Sequence, residues 1–584
     1  MRSSQRFFIA ICLLLALGSF AGAQVRKPGQ PLPKPAASSQ ESQEQFGVTV
    51  NVSVVNVDVY VTDKQGRPVT GLTRDDFQVF EDRRPVEITN FYAVNAGKAV
   101  TPSPVAAAAP APAAPSAAAP APAVQELDKV QTPEDQRLHL IIYIDNFNLR
   151  PFNRNRVMRE LRAFIGQKLS RGDQLMLVTY DRELHVRRTF TSDPSLIANA
   201  MTDIEKISAQ GVHADSERRD VLRNIADSRT AAEAEGYART YAQSTYNDLS
   251  FSIDALKKFI DALAGVPGRK AVVYVSDGLQ MIAGQDVFYA VQNKYSDQTT
   301  SLTQTLEFDI SRRLNELTAQ ANASRITFYT IDAAGLRVYE SNTAENAGSA
   351  PAPGFAQLIE GIRISNLQST LQLLAEKTGG KVIMNTNVIT PQLEKIASDF
   401  NTYYSLGYTP THYGDGRYYK IEVKVKNRKD LQVRHREGYR DKSTDARMSD
   451  GTMAALNFPV ESNPLGVSVE FGQVQARQDG YFLVPVMVRI PIGKLVLVPR
   501  EQSEDARVRL FIAAMDSNGG TSDVQQTPVP ISIPKAEVTT AQNKQYTYQV
   551  TLLMRGGDQR VAVGVRDDVA AQESFVSRGV RISR

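Results

Sequence analysis

Cysteine is almost absent from this 584-residue sequence, which contains a single one, Cys12. Cys12 lies in a short apolar run, residues 7–17, which follows two arginines and precedes the small-x-small site at residues 21–23. This arrangement is typical of a cleaved export signal, and the alternative is an uncleaved anchor. We therefore expect residues 1–23 to be a signal peptide and the mature chain to lack thiols, which excludes disulfides, zinc–thiolate sites and cysteine nucleophiles.

Long apolar runs and concentrated charge are also missing. No later segment approaches the roughly 18 apolar residues of a membrane-spanning helix, so the mature chain is expected to have no transmembrane segment. The net charge is only +4 without a concentrated basic stretch, which argues against nucleic-acid binding. The five histidines have no metal-ligand spacing, and the P-loop, dinucleotide, zinc-peptidase and Gly-x-Ser-x-Gly patterns are absent. These absences favour a non-enzymatic exported protein, either periplasmic or secreted.

The N-terminal part of the mature sequence divides into three segments. Residues 24–45 are rich in Pro, Ser, Gln and Lys, which predicts a flexible lead-in. Closely spaced valines over residues 46–96 predict a small β module. A module of about 50 residues buries too little apolar surface to be stable alone, so we expect it to pack on its neighbour. Residues 97–125 are almost entirely Ala and Pro and predict an extended linker.

The remaining sequence predicts two further domains. In residues 126–440, apolar runs such as Leu138–Ile144 and Ala271–Val275 alternate with helical patterns, and such runs are typical of strands buried on both faces. This part predicts an α/β domain with a doubly wound, mostly parallel sheet and a trailing β hairpin. Residues 441–465 predict a second linker, and residues 466–584 predict a C-terminal β-sandwich.

Two carboxylates directly follow core strands of the predicted sheet. Asp145 follows the strand at residues 138–144, and Asp277 follows the strand at residues 271–275. A doubly wound sheet binds ligands beyond the carboxyl ends of its strands, where the strand order reverses. Neighbouring strands would bring both carboxylates to one crevice, where they would suit Mg²⁺ or Ca²⁺. The alternative is local: Asp145 would cap the helix that begins near Pro151, and Asp277 would be a turn residue.

Several segments carry a resemblance to a known family. The sequence Gly265–Gly278 resembles the strand and loop that deliver the last metal-binding aspartate of von Willebrand factor A domains, and Thr378–Val382 is similar to their penultimate helix–strand junction. The wider layout resembles the von Willebrand factor A-related proteins typical of Acidobacteria, in segments 58–77, 331–336 and 403–408. The resemblance covers about residues 46–440. It implies that fold and the non-catalytic recognition of a protein or matrix ligand.

The family's metal-ion-dependent adhesion site has Asp-x-Ser-x-Ser after the first strand, a later threonine and a final aspartate. Here the first motif reads Asp-Asn-Phe-Asn-Leu from Asp145. The resemblance therefore implies a degenerate site of Asp145, Asn148 and Asp277 that holds Mg²⁺ or Ca²⁺, or a fold that has lost its metal. Thr245 and Ser250 are the candidates for the middle ligand.

Two competing functions remain open. One is a metal-free scaffold of the cell envelope that binds through its β domains or through the charged helical insertion at residues 205–250, whose usual meaning is a solvated helical face. The other is a hydrolase with an unrecognised site. The sequence specifies no oligomeric state.

Overall fold

The computed structural model describes residues 54–95, 97–100, 137–168, 173–296, 299–337, 353–458 and 462–583. They belong to two compact units, which divide between Asp450 and Gly451. The predicted signal peptide, the lead-in and residues 101–125 of the predicted Ala/Pro linker lie outside the described residues. None of the helices within the described ranges is both long and apolar enough to cross a lipid bilayer.

The first unit contains fifteen strands in chain order. They are β1 (Val55–Thr62), β2 (Phe77–Glu81), β3 (Arg84–Val86), β4 (Asn90–Asn95), β5 (Lys98–Val100), β6 (Leu138–Ile144), β7 (Gln174–Tyr180), β8 (Leu184–Thr191), β9 (Arg269–Ser276), β10 (Ile326–Asp332), β11 (Val382–Ile383), β12 (Tyr403–Tyr408), β13 (Tyr418–Val425), β14 (Gln432–Arg434) and β15 (Gly438–Arg440). Its helices are α1 (Pro151–Lys168), α2 (Pro194–Glu205), α3 (Gly211–Asp227), α4 (Ala231–Leu263), α5 (Gln285–Tyr295), α6 (Ser301–Gln304), α7 (Ser311–Ala323), α8 (Pro353–Lys377) and α9 (Thr390–Asn401).

A six-stranded sheet forms the centre of this unit. Its order is β11-β10-β9-β6-β7-β8, and all neighbours are parallel except β7 and β8. The chain adds β7 and β8 on one side of β6 and then returns to add β9, β10 and β11 on the other. The predicted α/β class with a parallel-containing sheet is therefore confirmed, and the strand order reverses between β6 and β9.

Helices cover both faces of this sheet. On one face, β6 joins α1, α2 and α9 in a buried cluster that includes Leu140, Val157 and Leu393. On the other face, the ring of Tyr143 packs against that of Phe259 in α4, with centroids 5.8 Å apart. Alternate residues of a strand point to opposite faces, so β6, which is buried along its whole length, lies between two helical layers.

The β module is built from both ends of the first unit. One sheet has the order β14-β1-β12-β4-β5 and the other β15-β13-β2-β3, all antiparallel. The predicted hairpin of β12 and β13 is wrong, because these strands lie in different sheets and pair with N-terminal strands. Val57 of β1 lies opposite Leu406 of β12, and both are fully buried. The predicted linker also begins later than expected, since Lys98–Val100 forms β5.

The β module packs on the α/β domain through buried polar side chains. The guanidinium of Arg269, at the start of β9, lies 3.6 Å from the ring centre of Tyr403 and donates to the Tyr60 hydroxyl at 3.1 Å. Arg434 of β14 donates to Asp399 of α9 at 2.8 Å. The two parts therefore form one compact unit, where the sequence predicted separate domains.

The second unit consists mainly of antiparallel strands. Helix α10 (Thr444–Asn457) occupies much of the predicted linker at 441–465, a correction explained by the buried Met448, Ala455 and Leu456, which recur at helical spacing. The strands that follow are β16 (Ser468–Phe471), β17 (Gln475–Ala476), β18 (Phe482–Pro491), β19 (Val498–Pro499), β20 (Ser503–Met515), β21 (Gln525–Pro534), β22 (Gln545–Met554), β23 (Gly557–Asp567) and β24 (Gln572–Ile582), with the short helix α11 (Val538–Ala541) before β22.

These strands form two sheets. One has the order β16-β18-β17, with β22 also paired to β18, and the other has the order β19-β20-β23-β24, with β21 also paired to β20. Residues of both sheets belong to a single buried cluster, including Val486 of β18 and Val563 of β23. The alternation of buried and exposed residues along β18 is the pattern expected of a strand with one face on such a core.

Candidate functional site

The carboxyl ends of β6 and β9 place Asp145 and Asp277 at one edge of the central sheet. The two strands are parallel neighbours with Ile144 opposite Val275. The backbone N–H of Asp145 donates to the carbonyl of Val275 at 3.0 Å. The edge where the strand order reverses therefore carries both residues, as the sequence predicted for neighbouring strands.

Asp145 is buried, with 1% of its surface exposed, and holds the loop that follows β6. Its Oδ2 accepts hydrogen bonds from the Tyr274 hydroxyl at 2.6 Å, the Ser276 hydroxyl at 2.9 Å and the Asn148 side-chain amide at 2.9 Å. Its Oδ1 accepts a longer bond, 3.3 Å, from the backbone N–H of Asn148. Burial raises the pKa of Asp145, and these donors partly offset that shift. Both oxygens are therefore satisfied by the protein itself.

Asp277 holds the start of α1. Its Oδ2 accepts the backbone N–H of Arg150 at 2.8 Å, and the side-chain amide of Asn153 lies 3.0 Å from both of its oxygens. Burial raises the pKa of Asp277 to about 6, against the opposing effect of these hydrogen bonds. The sequence assigned a cap of this helix to Asp145, but the structure gives the N-terminal contacts to Asp277, where a carboxylate is stabilised by the helix dipole.

These residues do not fit a Mg²⁺ or Ca²⁺ ion, which needs about six or more free oxygen ligands. The Asn148 amide donates to Asp145 instead of offering its oxygen to a cation. Leu149 stands at a family serine position and is fully buried. Arg337 donates to the carbonyl of Asp277 at 2.6 Å and to Asp332 at 2.7 Å, so a positive charge already lies beside Asp277. Of the candidates for the middle ligand, Thr245 lines the crevice described next.

A crevice of about 820 Å³ opens at this edge of the sheet. We call it the carboxyl-edge crevice; it is lined by the loops after β6, β9 and β10 and by side chains of α3, α4 and α8. Its arginines outnumber its carboxylates. The arginines are Arg150, Arg182, Arg218, Arg219, Arg223, Arg337 and Arg363, and the carboxylates are Asp215, Glu217, Asp248, Asp277 and Glu360.

A chain of ion pairs ties α3 to the α/β domain beside the crevice. Neighbouring members have N···O distances of 2.5 to 3.2 Å. The members, in order, are Arg150, Asp215, Arg363, Glu360, Arg218 and Asp286. The helical insertion, whose charge pattern predicted a solvated face, is thus fixed over the carboxyl edge by alternating buried charges. Sequence reasoning missed this because the buried Arg218 stands between the exposed Glu217 and Arg219.

Exposed apolar side chains lie at the mouth of the crevice. Val212 and Leu336 line it and are 51% and 59% exposed. Phe152, in the first turn of α1 beside Asn153, is 77% exposed. Apolar side chains around a polar, charged centre are a common composition of protein-binding surfaces.

Comparisons with known proteins do not identify a family. No protein-family model and no curated protein matches the sequence. Similar solved structures include an aerotolerance-related membrane protein from Bacteroides fragilis (12% identity, 46% of this chain, 98% of that chain, TM-score 0.22) and BatB from Bacteroides thetaiotaomicron (11%, 45%, 96%, 0.22). The manganese-loaded TRAP protein of Plasmodium vivax is also similar (11%, 52%, 94%, 0.21). At these identities and TM-scores, the similarities support no conclusion about function.

Proposed function

We propose that this protein is an exported, non-catalytic binding protein whose α/β domain is von Willebrand factor A-like and recognises an acidic group of a protein ligand without a metal ion. The domain assignment is supported by the sequence segments described above. It is further supported by the strand order β11-β10-β9-β6-β7-β8 with its antiparallel edge strand.

The observation that carries the metal-free mode is the placement of positive charge. In the family's adhesion site, the resemblance implies that a metal ion provides the charge that attracts an acidic partner. Here Arg337 and Arg150 approach Asp277, and the positive charge of both opposes its raised pKa. A site already flanked by guanidinium groups repels a cation and attracts a carboxylate, which arginine binds with well-defined geometry.

The rim of the crevice supports the same ligand class. Arg219 and Arg223 lie on the outer side of α3 and are exposed, so they are available to a ligand that approaches from solvent. Charges of one sign around a crevice steer an oppositely charged partner towards it and increase the association rate. Val212 and Leu336 at the mouth would provide apolar contact around the charged centre.

The experiment is a selection of random displayed peptides on the mature protein in the presence of EDTA. We expect the selected peptides to be rich in Asp and Glu, and their affinity to be unchanged by added Mg²⁺ or Ca²⁺. The double variant Arg219→Glu/Arg223→Glu should weaken binding at least tenfold. Arg312→Glu, at an equally exposed position on α7 outside the crevice, should leave it unchanged.

Three results would contradict the proposal. Selected peptides without acidic residues would refute the ligand class, and binding that requires a divalent cation would refute the metal-free mode. Acidic peptides that bind the crevice variant as tightly as the wild type would place recognition elsewhere, as the scaffold alternative requires.

A further inference from the structure

A second group of charged side chains lies in the β module, away from the carboxyl-edge crevice. His412 belongs to the segment between β12 and β13, and Asp441 directly follows β15. The Nδ1 of His412 lies 2.9 Å from Oδ2 of Asp441, and its Nε2 lies 3.0 Å from Oε1 of Glu81. One ligand atom from each of His412, Asp415 and Asp441 lies within 4.8 Å of the others. We call these three residues the His412 cluster.

Each member of the cluster except Asp441 is oriented by a further side chain. The hydroxyls of Tyr408 and Tyr439 donate to Oε2 of Glu81, at 2.7 and 2.8 Å, and so fix the carboxylate that faces Nε2 of His412. The imidazole ring stacks on Tyr419 with centroids 3.7 Å apart and an angle of 7° between the planes. A carboxylate behind an imidazole is the arrangement by which proteins orient histidine ligands of metals.

The third ligand is oriented from the same aromatic residue. The Tyr419 hydroxyl donates to Oδ2 of Asp415 at 2.5 Å. Asp415 lies between Gly414 and Gly416, both of which have positive φ angles. The side chain of Asp415 is exposed, so it can shift towards a ligand without disturbing the buried core.

The charge of this region is not balanced by the protein. Glu81 and Asp441 are buried, with 8% and 3% of their surface exposed, and buried carboxylates need a compensating charge. Asp415 adds a third carboxylate, and its neighbour Arg417, at 4.0 Å, has a mostly exposed side chain. Within the described ranges, the second oxygen of Asp441, Oδ1, accepts no hydrogen bond. One proton on His412 cannot balance three carboxylates.

We propose that His412 through Nδ1, together with Asp415 and Asp441, binds one divalent transition-metal cation of the Zn²⁺ class, with water completing its coordination. One imidazole and two carboxylates form a mixed nitrogen and oxygen donor set, which suits Zn²⁺ better than Ca²⁺. At metal–ligand bonds of about 2.05 Å, two ligand atoms 2.9 Å apart subtend about 90° at the metal. The cation takes the place of the Nδ1 proton, while Nε2–H continues to donate to Glu81.

The test is calorimetric titration of the full mature chain with ZnCl₂ after removal of metals by EDTA, with CaCl₂ as the comparison ion. We expect one saturable Zn²⁺ equivalent and the release of a proton at pH values where His412 is protonated. His412→Gln should abolish this binding. Asp415→Asn should weaken it about tenfold or more, since losing even an outer-shell contact costs that much. The control is His213→Gln, which removes a histidine paired with Glu217 on the surface and should retain the equivalent.

The variants also make the proposal falsifiable. Asp415 is exposed, so Asp415→Asn keeps the fold, and unchanged circular dichroism will establish this. Absence of a saturable Zn²⁺ equivalent in the wild type would overturn the assignment. So would equal Zn²⁺ affinity in wild type, His412→Gln and Asp415→Asn, or tighter binding of Ca²⁺ than of Zn²⁺.

Discussion

The substitution Asp277→Asn should change the stability of the first unit in a manner that reverses with pH. Asp277 has a pKa raised to about 6 from its usual 3.8, mainly because burial penalises the charged carboxylate. An asparagine has nearly the same shape and cannot ionise. The variant therefore removes the penalty while keeping an acceptor oxygen for the start of α1.

The sign and magnitude follow from linkage between ionisation and folding. A carboxyl group whose pKa is raised on folding favours the folded state only while it is protonated, so the wild type loses stability as the pH rises from about 3.8 to about 6. At about 1.36 kcal/mol per pKa unit, the full loss is about 3 kcal/mol above pH 6. The substituted asparagine cannot accept both contacts from Asn153, a pH-independent cost of about 1 kcal/mol. We therefore expect the variant to be less stable than wild type at pH 4 and more stable at pH 7.

Hydrogen exchange of the amides of β6 and β9 measures this difference directly. The free energy of opening of these central strands should be compared between variant and wild type at each pH from 4 to 7.5, because intrinsic exchange rates then cancel. Asp430→Asn is the matched control, since Asp430 is exposed and pairs with Arg428 on the surface; its difference from wild type should stay flat. A flat difference for Asp277→Asn as well would refute the claim that Asp277 carries a burial penalty.

Two further substitutions test the buried polar contacts by unfolding and by hydrogen exchange. Arg218→Met should destabilise the first unit by about 3–5 kcal/mol, because Asp286 and Glu360 lose a buried partner; Arg219→Met, at the exposed next position, should cost about 0.5 kcal/mol or less, and equal effects would contradict the ion-pair chain. Tyr274→Phe should cost about 1–3 kcal/mol because a donor to the buried Asp145 is lost. Tyr143→Phe removes a buried hydroxyl without a partner among the described residues, so it should be neutral or stabilising, and a larger cost than that of Tyr274→Phe would contradict the assignment.

The α/β domain was predictable because its signal is local. The strand at residues 138–144 was predicted with the bounds that the structure gives to β6. The prediction began the next core strand at Ala271, whereas β9 begins at Arg269. Arg269 and Lys270 are buried despite their charge, and Arg269 is accommodated because the β module covers that end of the sheet with Tyr60 and Tyr403. A burial that depends on a distant segment leaves no local trace.

The β module was not predictable for the same reason. The Gly-Asp-Gly sequence at residues 414–416, between two tyrosine-rich strands, is typical of a hairpin. In the structure β12 and β13 instead pair with β1 and β2. Alternating apolar residues identify a strand and its buried face, but they do not identify its partner. The loop therefore joins two sheets, and this geometry brings His412 to Asp441, 29 residues later.

The candidate site was predictable in position and not in chemistry. Placing Asp145 and Asp277 at one edge required only that their strands be parallel neighbours. Their roles depend on Tyr274, Asn153 and Arg337, whose contacts with the two aspartates arise from the fold. The tyrosine and arginine near strand ends were signals against a metal, since a hydroxyl donor satisfies a carboxylate and a guanidinium opposes a cation.

The two carboxylate groups of the first unit show why residue type alone does not predict a cation site. Asp145 and Asp277 match a family's metal ligands, yet hydroxyls, amides and guanidinium groups already satisfy or balance them. His412 and Asp441 match no spacing pattern, yet they lie among carboxylates that outnumber the nearby buried cations. Uncompensated charge attracts a metal ion, and only the fold determines which charges remain uncompensated. A cation should therefore distinguish the two sites: Zn²⁺ should raise the melting temperature of the wild type, and it should do so equally in the Asp145→Asn variant but not in His412→Gln.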